Sequence, residues 1–309
     1  MGVVYGLCAA LFWGAADFFA RLSTDRIGTR RTVFWMQLVG AITTGAVLLL
    51  PAARPPAPTL QTILIACAIG AFNVTGGILL YRALEIGTVS LVSPVSSTFA
   101  AIAAGLSIVA GERPGPMLLA GLAVTAVGVI FASIPPRQAR AGAGATPEAA
   151  RETGQGQHQV QGQEPAGRPE ASRRGLGMAA LAAVAWGIAF FSLRYVVGAL
   201  GSFFPVFLSR AVSTVLVLVV SLAQRQRLSR PRNAWHLVAG VAVFDSIAFA
   251  AYNLGIAGSL TAVVSILSSL FSSVTVILAF LFLHERLGKL QWTAVLVILA
   301  GVALVSSAG

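Results

Sequence analysis

Along the 309 residues, apolar stretches of about eighteen to twenty-four positions alternate with short breaks that are polar, proline-rich or arginine-bearing. Ten such stretches stand out, at 2–20, 33–50, 60–80, 88–110, 115–134, 175–193, 203–222, 235–252, 260–283 and 290–307. Each is near the ~20 residues that a helix needs to cross a bilayer. The hydrocarbon interior offers no hydrogen-bond partner, so a spanning segment must be a helix or a strand of a closed barrel. The runs are continuous rather than alternating with period two, which predicts helices. The expected fold class is an all-α integral membrane protein of ten transmembrane helices. The first run has no basic residues before it and contains Trp13 and Asp17, so it reads as a retained helix rather than a cleavable signal.

Composition sharpens this. The chain is 57% hydrophobic and 10% charged with a mean hydropathy of +0.84, against about a quarter charged in soluble domains. The net charge of +11 does not point to a nucleic-acid partner, because nearly all the arginines lie in gaps between apolar runs. Cys8 and Cys67 sit within such runs and lack metal-ligand company, so they read as small buried hydrophobes. No HExxH, GxSxG or P-loop pattern occurs, and no enzyme, metal or cofactor is expected.

Residues 135–174 are different, with four Glu, six Arg and almost no large apolar side chain. This composition predicts a flexible polar linker. It separates a first five-helix repeat, 1–134, from a second, 175–309. A shift of 173 residues superposes the two. It pairs Trp13-Gly14 with Trp186-Gly187, Phe18 with Phe191, Arg21 with Arg194, Glu112-Arg113 with Glu285-Arg286 and Gly128 with Gly301. Five helices per repeat is odd, so the second copy enters the bilayer from the opposite side. Inverted repeats of this kind recur in transporters, with the substrate near the midplane between them.

Trp13-Gly14 and Trp186-Gly187, Ser93-Pro94-Val95, Gly111-Glu112-Arg113 and His284-Glu285-Arg286 together resemble the EamA-type transporters of the drug/metabolite transporter superfamily. One departure is Leu267, which stands in the second copy where the first has Pro94. The resemblance covers both halves and implies a secondary carrier for a small metabolite, often an exporter of amino acids or related compounds. It also implies a plasma membrane location, the inner membrane in a bacterium.

Ionisable residues at mid-span cost at least ~2.5–3.5 kcal/mol each, so they need a reason to be there. Asp17, Arg210 and Asp245 fall well inside apolar runs. Asp17 can pair with Arg21 one turn away, or stand as a cavity carboxylate that meets substrate or a proton. Arg210 and Asp245 can form one buried pair that fixes packing. Alternatively, Arg210 meets an anionic substrate group and Asp245 takes a proton or an amine. Thr261, Ser265, Ser268, Ser269 and Ser272 form one helical stripe, and Ser90, Ser93 and Ser97 another, with Ser96 equivalent to Ser269. These hydroxyls either permit close helix packing or line a wet cavity. Gly70, Asn73, Gly77 and Tyr81 share a face that reads chiefly as packing. Trp13, Trp186 and Tyr252 are placed to stack on a ring or cation. Glu112 and Glu285, each followed by Arg, read first as solvated interfacial pairs and second as gating contacts.

The candidate site is therefore Trp13, Asp17, Asn73, Ser97, Trp186, Arg210, Asp245, Tyr252, Ser265 and Ser269. The expected partners are a small-molecule substrate, the lipid bilayer and coupling protons, with the chain as monomer or homodimer. A non-transporting scaffold and a lipid-linked substrate flippase are the alternatives. Basic residues near helix ends favour one face. Eleven lie in the loops after the first, third, seventh and ninth runs and six in the linker, against Arg54, Arg113 and Arg194 opposite. Positive-inside counting thus puts the linker in the cytosol and both termini outside, whereas the resemblance implies both termini inside.

Overall fold

The computed structural model describes residues 1–86, 95–96, 98–132, 169–226, 228–283 and scattered positions of the last apolar run. The chain is all-α, and no strand occurs among the described residues. The helices are α1 (Gly2–Ile27), α2 (Thr29–Val47), α3 (Leu60–Ile86), α4 (Phe99–Val109), α5 (Pro116–Ala132), α6 (Pro169–Ser192), α7 (Arg194–Leu200), α8 (Phe204–Ala223), α9 (Trp235–Gly258), α10 (Thr261–Ser268) and α11 (Phe271–Leu283). α7 continues directly beyond the sixth apolar run, and the ninth run is divided into α10 and α11. The linker residues 135–168, Ser90, Ser93, Ser97, His284 and Glu285-Arg286 lie outside the described residues.

Hydropathy locates the spans but not the helix ends. α1 and α3 run about six residues beyond their apolar runs, because backbone hydrogen bonding continues where the side chains turn polar. α6 starts at Pro169, ahead of the expected 175; proline suits a first helical position, where its missing N–H costs nothing.

The helices are inside-out by the standards of a soluble protein. On α8 the buried stripe is Val206, Ser209, Arg210, Ser213, Val217 and Ser221, while Val215, Val219 and Leu222 are exposed. Lipid is as apolar as leucine, so small and polar residues occupy helix contacts and large aliphatics face outward. Close approach follows: a Cβ on Gly70 of α3 would lie 2.9 Å from Ser209 Cα of α8.

The halves interlock instead of standing side by side. α1 packs on α9 and α3 on α6, so the first helix of each half rests on the third helix of the other. α2 packs on α8. The repeated Trp-Gly pair lies at these crossings. A Cβ on Gly14 would come 2.5 Å from Val274 Cβ on α11, and one on Gly187 2.6 Å from Ile102 Cγ2 on α4. Glycine at both positions lets the first helix of one half touch the fourth span of the other.

Candidate functional site

The preceding tryptophan of each pair reaches across the same boundary. Trp13 Nε1 donates to Asp245 Oδ1 on α9 at 2.8 Å. Trp186 Nε1 donates to the Asn73 carbonyl on α3 at 2.9 Å. Gly76 makes room for the second of these, because a Cβ there would lie 2.6 Å from Trp186 Cδ1.

Arg210 lies between the halves. Nη1 donates to Gln37 Oε1 at 2.6 Å, Nη2 pairs with Asp245 Oδ2, and the guanidinium lies 5.8 Å from the Phe249 ring centroid. Burial leaves Arg210 5% exposed, a situation a guanidinium tolerates only with hydrogen-bonded anionic or polar partners. Gln37 and Arg210 are separated by the repeat offset of 173 residues. A residue that touches its own repeat equivalent lies close to the pseudo-twofold axis, so the charge cluster marks the centre of the molecule.

Around this cluster is a cavity of about 280 Å³. Trp13, Asp17, Asn73, Trp186, Arg210 and Asp245 line it together with Ser96 and four phenylalanines. Of the ten candidates named from sequence, these six are brought together. Asp17 is exposed toward the cavity and has no hydrogen-bond or ion-pair partner among the described residues. Arg21, its proposed partner on α1, has no described side chain.

Three candidates lie outside the cavity wall. Tyr252 is fully buried; its hydroxyl and that of Ser265 share a 2.7 Å hydrogen bond, and its ring packs on Trp13 and Phe190. Ser265 and Ser269 are buried, and Ser269 bonds back to the Ile266 carbonyl at 2.7 Å. Thr261, Ser265 and Ser268 on α10 and Ser269 at its C-cap are all buried, the close-packing alternative for this stripe, while Phe271 just after the turn between α10 and α11 lines the cavity. The fourth, Ser97, is outside the described residues.

Glu112 corrects the sequence reading. It is 8% exposed, not solvated, while its neighbour Arg113 is exposed. Its carboxylate accepts from the Thr261 and Ala262 backbone N–H groups at 2.9 and 3.0 Å and from Arg194 Nη1 at 3.0 Å. A carboxylate on the first N–H groups of a helix satisfies orphan donors and meets the positive end of the helix dipole. Glu112 thereby ties the end of α4 to the starts of α10 and α7. Asn253 Nδ2 donates to the Ser202 carbonyl and Ala57 N–H to the Ala199 carbonyl at the same end of the bundle. Gln37 was missed, and the burial of Glu112 was not foreseen, because sequence gives neither the helix pairing nor the burial that gives each its role.

Apolar helices in two interlocked halves around a shared polar cavity define a multi-pass membrane protein of the two-repeat transporter class. The EamA-like transporter family model matches residues 1–134 and 173–307, and the chain belongs to that family. A solved structure named only as "Crystal structure of protein" shares the fold at 16% identity and a TM-score of 0.74, covering 99% of this chain and 96% of the other. No curated protein sequence matches. Family membership makes the chain a transporter of a small molecule in a lipid membrane.

Proposed function

We propose that the protein is a secondary carrier that exports a small polar or amphiphilic metabolite, such as an amino acid, by alternating access. The observation that carries this reading is the cavity between the halves, with its charge cluster on the pseudo-twofold axis. A central site shared by inverted halves can be reached from either side when the halves rock against one another. The end tied together through Glu112 holds the loops with few basic residues and is read here as the closed one. Positive-inside counting assigns that end to the outer face of the plasma membrane, the inner membrane in a bacterium. The cavity then loads from the cytosol, the sense required of an exporter. Asp17 and Asp245 are the proton-carrying candidates for gradient coupling.

The test is flux in proteoliposomes. Vesicles loaded with a cell-extract metabolite pool release specific solutes when they carry the wild-type protein, and release rises under an opposing proton gradient. Asp245→Asn and Arg210→Gln abolish that release. No protein-dependent release of any solute favours a non-transporting scaffold; undiminished gradient-driven release by Asp245→Asn removes the coupling role of Asp245.

A further inference from the structure

The donors and acceptors around the cavity are unequally occupied. Asp245 is saturated, with Oδ1 taking the Trp13 indole N–H and Oδ2 facing Arg210. Arg210 is also committed. Nη1 is on Gln37, and Nε and Nη2 are buried with almost no exposed surface. Nε and Nη2 therefore have no exposed surface to present to an incoming anion. Both tryptophan N–H groups are spent, one on Asp245 and one on the Asn73 carbonyl. Asp17 remains, a carboxylate exposed to the cavity with no partner among the described residues. Among the described residues, two carboxylates thus line the cavity with one guanidinium, and the carboxylate without a cation is the one a ligand can reach.

The walls point the same way. With their N–H groups directed into the protein, Trp13 and Trp186 offer ring surface, as do Phe99, Phe190, Phe249 and Phe271. Aromatic faces attract cations through the ring quadrupole, most strongly where water is excluded.

We propose that the cavity takes an organic cation, a protonated amine with an aromatic or aliphatic body, and that Asp17 is its counter-ion. The proposal rests on the carrier reading of the cavity and narrows its substrate class. The neutral polar groups of Asn73 and Ser96 hydrogen-bond the remainder of such a ligand, and the small volume favours a compact one.

Three probes with the same ring separate the possibilities: phenethylamine as cation, phenylalanine as zwitterion and phenylacetate as anion. Binding to the full chain in nanodiscs is measured by calorimetry, and exchange by counterflow in proteoliposomes. Phenethylamine is expected to bind and exchange, with the other two at least about tenfold weaker. Asp17→Asn weakens phenethylamine by about tenfold to a hundredfold, the cost of a lost charge-assisted contact. Asp17→Glu restores much of the binding. If phenylalanine or phenylacetate exchanges as well as phenethylamine, the cation assignment is overturned while the carrier reading stands. If none of the three binds, the assignment is likewise overturned, and the metabolite-pool release decides the carrier reading independently. Binding of phenethylamine unaffected by Asp17→Asn also overturns it.

Discussion

The two halves of the chain share a scaffold but differ in their chemistry. Gly14 and Gly187 make equivalent close approaches, and Trp13 and Trp186 make equivalent reaches into the third helix of the opposite half. The acceptor differs: a carboxylate for Trp13, a backbone carbonyl for Trp186. Gln37 in the first half is Arg210 in the second, and the two touch. Asp17 corresponds to Phe190, and both line the cavity. Packing therefore obeys the repeat, whereas charge departs from it. In the proposed carrier, symmetry serves the motion, since each half forms comparable contacts with the other in both orientations, and asymmetry serves the ligand, which needs only one set of charges at the shared centre.

That comparison can be broken most severely at its charged member. Arg210→Ala leaves Asp245 buried without its cation and is expected to cost about 3–5 kcal/mol of stability. Gln37→Ala at the equivalent position should cost less, about 1.5–3 kcal/mol, the worth of one hydrogen bond to a charged group. Thermal denaturation in detergent compares the two. Equal costs would mean that the half carrying the charge has no special standing.

The tryptophans offer a milder test. Trp13→Phe removes a bond to a carboxylate, worth about 1.5–3 kcal/mol, and Trp186→Phe one to a neutral carbonyl, worth about 0.5–1.5 kcal/mol. Melting temperatures should rank them in that order. Gly14→Ala and Gly187→Ala, by contrast, should destabilise alike, each by about 1–3 kcal/mol, because both overpack an equivalent crossing. A large difference between the glycines would show that packing departs from the repeat as well. The smallest effect belongs to Tyr252→Phe, which removes one buried hydroxyl from a pair with Ser265 and should cost about 1 kcal/mol.

Much of this was legible before the fold was known. Continuous apolar runs, the 173-residue period and the scarcity of mid-span charges are properties of the sequence. They led to the two-repeat membrane fold and to Asp17, Arg210 and Asp245. What stayed hidden depends on which helices meet. Gln37 looks like any polar residue in an apolar run until α2 and α8 are known to pack at the axis. Glu112 looks like a solvated helix end until α10 is seen to begin against it. The serine stripe on the ninth run could be packing or cavity wall, because periodicity does not report which face of α10 meets another helix.

Alternating access to the central cavity is the claim on which the account depends, and Gly77 is the place to test it. Gly77 lines the cavity, and a Cβ added there meets open space. Gly77→Cys in a background with Cys8→Ser and Cys67→Ser thus places one thiol in the site without disturbing its packing. A membrane-impermeant thiol reagent is then applied to right-side-out and to inverted vesicles. The account predicts labelling from both faces; labelling from one face alone, or from neither, would contradict it.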